Sequence, residues 1–126
     1  MIVHTILYVS DQKKSTDFYS SVFKLTPTLN VPGMTEFQLS DKHVLGLMPE
    51  KGIKRLLGEK LPDPELASGI PRAELYIRIE SPESFLLRAL ELGATNLSPM
   101  LERDWGDRAG YVMDVDGHVL AFSEKN

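Results

Sequence analysis

The chain has 126 residues, of which 42% are hydrophobic and 25% charged, the composition of one ordinary globular domain or two very small ones. Its formal net charge of −4 argues against a nucleic-acid partner, and the absence of cysteine excludes disulfides, thiolate nucleophiles and iron–sulfur clusters. Because it has neither a long apolar run nor a signal-peptide pattern, we expect a cytoplasmic protein without a membrane partner.

The first part of the chain predicts a strand, a helix and then further short strands. Residues 2–9 are rich in β-branched side chains, which is typical of a buried strand. Ser10 and Asp11 are suitable N-caps for a following helix. The apolar stripe of that helix consists of Phe18, Tyr19, Val22 and Phe23. Pro32-Gly33 indicates a turn between short strands, and the next predicted strands are residues 36–39 and 44–48.

Residues 49–71 interrupt this pattern with four prolines and three glycines. We expect a surface connection there, with a short helix around residues 53–57. A connection of this length often covers a site or remains mobile.

The same order of elements begins again after the connection. Residues 74–80 alternate, with apolar Leu75 and Ile77 on one face of a predicted strand and Glu74 and Tyr76 on the other. Ser81-Pro82 then opens a helix, and Gly93 is a suitable residue to end it. Three more strands are predicted at residues 96–101, 111–115 and 119–123.

A sequence repeat supports this duplication, since Asp, His, Val and Leu recur in matching order in residues 41–48 and 116–123. The predicted fold class is α+β: two βαβββ units forming a curved eight-stranded mixed sheet around a cleft, with the helices outside. One unit alone would bury too little core, so we expect a single domain over residues 1–126. The predicted boundaries are 1–48 for unit one, 49–71 for the connection and 72–126 for unit two.

Several segments together resemble the vicinal oxygen chelate superfamily, which includes glyoxalase I, bleomycin-resistance proteins, fosfomycin-resistance enzymes and extradiol dioxygenases. These segments are residues 4–11, the helical Asp17-Phe18-Tyr19, residues 105–108 and residues 110–118. The resemblance covers the chain apart from the connection, and it implies the doubled fold and a homodimer.

The resemblance also implies four positions for a divalent metal ion, on the first and last strand of each unit. These positions hold His4, Gly46, Glu74 and Ala121. Gly46 and Ala121 have no side-chain donor, whereas a catalytic metal needs about three protein ligands. We therefore expect no cofactor. Zinc, nickel, manganese or iron would bind through His4 and Glu74 only if other ligands completed the set.

Seven residues are candidates for a functional site. Glu74 and His4 are candidates for acid–base catalysis, although a structural role is open for Glu74 and favoured for His4. Trp105 could stack on a planar ligand, or anchor its own loop. Arg108 could hold an anionic group. The further residues proposed to line a cavity are Tyr111, Met48 and Tyr76.

Three functions remain open from the sequence. The first is metal-free binding or sequestration of a small organic molecule, as in bleomycin-resistance proteins. The second is a metal-dependent lyase, isomerase or dioxygenase of the glyoxalase type, and the third is an accessory domain with a vestigial cleft. His43 and His118 lie beside Asp-containing turns, which favours a structural role for both.

Overall fold

The computed structural model describes all 126 residues, which form two compact units, residues 1–68 and 69–126. Each unit contains one four-stranded mixed sheet. The first unit comprises β1 (Val3–Val9), α1 (Gln12–Phe23), β2 (Leu29–Val31), β3 (Met34–Ser40), β4 (His43–Pro49), α2 (Glu50–Leu57) and two 3₁₀ helices, Gly58–Lys60 and Pro64–Ala67. The second comprises β5 (Glu74–Arg78), α3 (Pro82–Glu91), β6 (Thr95–Glu102), β7 (Asp107–Met113) and β8 (Val119–Lys125).

The sheet of the first unit has the strand order β1-β4-β3-β2, with β1 parallel to β4 and the other pairs antiparallel. Helix α1 begins at the N-cap Asp11, whose side chain accepts a hydrogen bond from the Lys14 backbone N–H at 3.0 Å. This cap satisfies one of the N–H groups that a helix start leaves without a partner. The core of the unit is apolar and fully or almost fully buried: Val9, Tyr19, Val22, Phe37, Leu45 and Leu47.

Helix α2 occupies the first part of the predicted connection. It starts at Glu50, three residues earlier than expected, because Glu50 and Ile53 are both buried while the rest of the helix is exposed or half-buried. Its last turn is tied to the following residues by Lys54, whose Nζ donates to the carbonyls of Gly58 and Leu61. Residues 49–68 therefore belong to the first unit.

The second unit repeats the plan, with the strand order β5-β8-β7-β6. Helix α3 starts at Ser81-Pro82 as predicted, but Ser81 has a φ of 53° and its side chain makes no capping bond. Pro82 has no backbone N–H, so this helix start has one donor fewer to satisfy. The backbone N–H and the hydroxyl of Ser84 both donate to the Ser81 carbonyl, at 3.0 Å and 2.8 Å.

The structure confirms the α+β class, the eight strands and the two βαβββ units. The registers agree with the sequence repeat, since His4 lies opposite Val44 in the first unit and Glu74 opposite Val119 in the second. The eight strands form two separate four-stranded sheets rather than one continuous hydrogen-bonded sheet. No helix is long and apolar enough to cross a membrane.

Candidate functional site

The sheet of the first unit has one face against α1 and one face free of it. Cross-strand partners share a face, so His4 and Val44, Gly46 and Glu36 lie together on the face opposite Phe37 and Leu45. On this face, His4 Nδ1 lies 3.4 Å from Glu36 Oε2. The His4 side chain is 43% exposed and that of Glu36 24% exposed, so the pair remains in contact with solvent.

Gly46 lies in the strand between those two side chains, but the space above it is filled. A Cβ at this position would lie 3.1 Å from Ile6 Cγ1 and 3.3 Å from Met34 Sδ. These are tighter than ordinary van der Waals contacts. A metal-ligating side chain at position 46 would therefore have to displace two apolar side chains.

In the second unit, the corresponding face of the sheet carries a row of aromatic residues. Tyr76 on β5 and Tyr111 on β7 both lie opposite Ala121 on the central strand β8. Ala121 is fully buried. The fourth metal position that the resemblance implies is therefore a small residue between two tyrosines. Glu74, two residues before Tyr76 in β5, lies on the same face as these tyrosines.

A hydrogen-bond network continues from Tyr76 along this face. The Tyr76 hydroxyl donates to Asp107 Oδ2 at 2.7 Å and accepts a hydrogen bond from Trp105 Nε1 at 2.9 Å. Arg78 donates to the same Asp107 oxygen from Nε at 3.1 Å and also pairs with it through Nη2 at 3.1 Å. The Tyr76 hydrogen bond and the charge of Arg78 hold the pKa of the Asp107 carboxyl below its usual range, against the opposing effect of desolvation.

Tyr111 and Glu74 line a shallow depression of about 460 Å³ whose wall residues are Pro71, Arg72, Ala73, Glu74, Tyr111 and Val119. Burial and the nearby charge of Glu74 raise the pKa of the Tyr111 phenol. The Arg103 guanidinium lies 5.2 Å from the centre of the Tyr111 ring. At neutral pH the depression thus presents a neutral phenol beside an exposed carboxylate.

The predicted site residues do not all come together. Glu74, Tyr76, Trp105 and Tyr111 lie on one side of the second sheet, whereas Arg108 projects to the α3 side. There Arg108 pairs with Glu83 of α3 and Glu124 of β8. Its charge-assisted hydrogen bonds are therefore made within the protein.

The other two candidates belong to the first unit. Met48 is half-buried on β4 and shares the free face of that sheet with His4 and Gly46. The role of Met48 in ligand binding and the role of His4 in catalysis stay predictions.

The two histidines beside turns have structural partners. His43 Nε2 lies 2.7 Å from the Thr5 hydroxyl on the neighbouring strand. The backbone N–H of His118 donates to Asp114 Oδ1 at 2.8 Å, and the same oxygen accepts from the Asp116 N–H. This Asp-centred turn is the structural role that the sequence predicted for the β7–β8 connection.

The donor set does not fit the divalent metal that the fold family implies. On the relevant face of the first unit, His4 and Glu36 form a pair and Asp41 lines the same depression, while Gly46 is covered by Ile6 and Met34. Within each unit, no three His, Asp or Glu side chains are grouped closely enough to hold a metal ion. A structural or catalytic metal needs three or four protein donors.

Comparison with known proteins gives the family. The model of the Glyoxalase/Bleomycin resistance protein/Dioxygenase superfamily matches residues 1–122, so the chain belongs to this superfamily. An uncharacterized protein of Mycobacterium bovis is 28% identical over 115 residues, and the match covers 89% of this chain and 75% of that protein. An uncharacterized protein of Mycobacterium tuberculosis is also 28% identical, with 67% of its length covered.

Solved structures share the fold at low sequence identity. A glyoxalase-related enzyme from Fulvimarina pelagi is similar with a TM-score of 0.83 and 20% identity, covering 99% of this chain and 88% of that chain. A glyoxalase/bleomycin resistance protein/dioxygenase family enzyme from Burkholderia phytofirmans is similar with a TM-score of 0.79 and 15% identity, covering 98% and 97%. These similarities establish the fold.

Three residues of these two faces were not identified as site residues from the sequence: Glu36, Arg78 and Asp107. Glu36 lies on a predicted strand, but only the register of β3 against β4 brings it to His4. Asp107 lies outside the predicted strand 111–115, although in the structure it begins β7. The available signal was the alternation of residues 74–80, which places Arg78 on the same face as Tyr76.

Proposed function

We propose that the protein binds or sequesters a small organic molecule without a metal ion, on the aromatic face of its second unit. The observation that supports this most directly is the row of Tyr76, Ala121 and Tyr111. At the place where metal-using relatives of this fold need a donor, this chain has a buried methyl group between two phenol rings.

The chemistry of this face suits an organic ligand. Trp105, which is 53% exposed, and Tyr76 offer aromatic surface, and aromatic contacts supply much of the binding energy of small-molecule sites. Glu74 and the neutral Tyr111 phenol supply a hydrogen-bond acceptor and a donor beside that surface. Recognition by ring contact and a few polar groups needs no ion.

The test is a thermal-shift screen of small planar organic molecules on protein treated with a chelator, followed by calorimetry of the compounds that stabilise it. Trp105→Ala should weaken binding about 5- to 10-fold, the equivalent of about 1 kcal/mol of lost ring contact. Leu87→Ala, which removes an exposed apolar side chain of α3 on the other side of the sheet, is the matched control and should leave binding unchanged. Binding that appears only after a divalent metal is added would contradict the proposal.

A glyoxalase-type lyase, isomerase or dioxygenase, with a metal only if further ligands complete the set, is the second candidate function. The His4–Glu36 pair supplies acid–base groups for it. A carboxylate beside Nδ1 can fix the imidazole so that Nε2 is left to exchange a proton with a substrate. Metal analysis of the purified protein separates the two candidates. One equivalent of zinc, nickel, manganese or iron per chain, lost in His4→Ala, would favour the enzyme.

Assembly and location are further parts of the proposal. We expect a homodimer in the cytoplasm, by analogy with the family. Light scattering coupled to gel filtration would give the mass of the particle. A mass equal to one chain at micromolar concentration would contradict the dimer.

A further inference from the structure

The polar atoms of Trp105 and Tyr76 are already used within the protein. The indole N–H of Trp105 donates to the Tyr76 oxygen, and the Tyr76 hydroxyl donates to Asp107. Neither donor remains available for a ligand. What these two side chains offer to a ligand is therefore the faces of their rings.

The buried Asp107 carboxylate fixes the hydrogen bonds between Trp105 and Tyr76. Its side chain is 2% exposed, and one oxygen, Oδ2, receives the Tyr76 hydroxyl and the Arg78 guanidinium. A buried carboxylate with these donors cannot rotate without losing all of them at once. The direction of the Tyr76 hydroxyl is thus fixed by a group that no ligand touches.

Trp105 needs such a support because of where it lies. It belongs to the short segment between β6 and β7, its side chain is largely exposed, and Gly106 follows it with a φ of 94°. An exposed indole on a turn samples several rotamers unless a directional contact selects one. The hydrogen bond to Tyr76 supplies that contact.

We propose that Asp107 is a positioning residue that presets Trp105 and Tyr76 as a ring platform, and that this platform selects a flat aromatic ring. The proposal rests on the proposed function and adds the ligand class. Because the edges of both side chains are occupied, binding depends on contact between ring faces. Because Arg78 neutralises Asp107, the network adds no net charge beneath the platform.

The first experiment tests the positioning without any ligand. Trp105 is the only tryptophan, so its indole N–H gives one resolved signal in a ¹H–¹⁵N spectrum. In Tyr76→Phe and Asp107→Ala this signal should move upfield and exchange faster with water, and the tryptophan fluorescence anisotropy should fall. Asp107→Asn, which keeps an acceptor for Tyr76, should remain closer to the wild type than Asp107→Ala.

Glu83→Gln is the control, since it removes a charged partner of Arg108 on the opposite side of the same sheet. It should leave the indole signal in place. An indole signal that is the same in wild type, Tyr76→Phe and Asp107→Ala would overturn the positioning role. Tyr76→Phe loses only one hydroxyl, so this result is readable even if Asp107→Ala does not fold.

The second experiment tests the ligand class with 2-naphthol and its saturated counterpart 2-decalol, which has the same carbon skeleton and hydroxyl but is not flat. The wild type should bind 2-naphthol at least 5-fold more tightly, and Asp107→Ala should lose most of this preference. Equal binding of the two probes would overturn the ring-face selectivity. Binding of neither, with the indole signal behaving as expected, would refute the ligand class and count against the proposed function, while the positioning role of Asp107 would stand.

Discussion

Gly110 on β7 is a position where one added methyl group should be costly, because helix α3 and strand β6 pack closely around it. A Cβ there would lie 2.9 Å from Leu86 Cδ2 and 3.2 Å from the backbone nitrogen of Met100. Leu86 is a buried residue of α3 and Met100 belongs to the neighbouring strand β6. The missing side chain is what lets the helix approach the sheet so closely.

The cost of Gly110→Ala follows from these contacts. Overpacking by one methyl group typically costs about 1–3 kcal/mol, and the backbone of Met100 cannot move without shifting β6. Reduced freedom of the unfolded chain returns about 0.5–1 kcal/mol. We therefore expect Gly110→Ala to lower the free energy of unfolding by roughly 1–2 kcal/mol, which corresponds to a fall in Tm of about 3–8 °C for a chain of this size.

Gly52→Ala is the matched control because it makes the same chemical change without a clash. Its Cβ would lie 3.9 Å from Met48 Cε and 3.9 Å from Pro49 Cβ, and it lies within α2. This substitution should raise the free energy of unfolding by about 0.5–1 kcal/mol. Both variants are measured by urea unfolding and by calorimetry.

A double-mutant cycle identifies the contact responsible. Leu86→Ala removes the side chain that the new methyl group would meet, so the cost of Gly110→Ala should shrink in that background. If Gly110→Ala instead stabilised the protein, as Gly52→Ala should, this result would contradict the close packing of α3 on β7.

Three further outcomes are expected. Gly117→Ala should destabilise the protein at least as much as Gly110→Ala, because Gly117 has a φ of 93° and an added Cβ would lie 2.6 Å from Gly69 Cα. Chemical denaturation measures this loss of stability. An unchanged denaturation midpoint would contradict it. Because the pKa of Asp107 is lowered, its contribution to stability is present above the ordinary carboxyl pKa of 3.8 and is lost as the pH falls through the pKa of the folded state. Asp107→Asn should therefore reduce the loss of unfolding free energy at acid pH. The same loss in the variant and the wild type would argue against the network. Glu74→Gln should lower the pKa of the Tyr111 phenol towards 10.0, because it removes one of the charges that raise this pKa. NMR titration of the Tyr111 ring measures the change. An unchanged titration curve would show that the charge of Glu74 does not act on Tyr111.

The repeated strands were predictable because their hydrophobic pattern is strong. Residues 44–48 and 119–123 were predicted as strands and form most of β4 and β8, which are buried along most of their length. In contrast, β7 starts at Asp107 rather than at Tyr111. The four residues Asp-Arg-Ala-Gly have low strand propensity, and their pairing with β8 decides their conformation.

The site was predictable at the level of residue type and less so at the level of contacts. Glu74 and Tyr76 share a face, as the alternation of β5 predicts, and the register of β7 against β8 brings Tyr111 to the same face. The partnership of Trp105 with Tyr76 depends on contacts across 29 residues, which hydrophobic periodicity does not contain. Arg108 illustrates the same limit, since its partners on α3 and β8 are visible only in the folded chain.

The strand order has a consequence for the way each unit is made. In both sheets the strand that lies next to the unit's first strand is its last in the chain, so β1 finds its partner only when β4 exists, and β5 only when β8 exists. Hairpin β3–β4 is local, whereas the β1–β4 ladder joins Val3 to His43 and must close a long loop. During synthesis each unit therefore waits with an unpaired strand edge until its final strand is made, and a chain cut before Val119 would leave β5 and β7 without the strand that joins them.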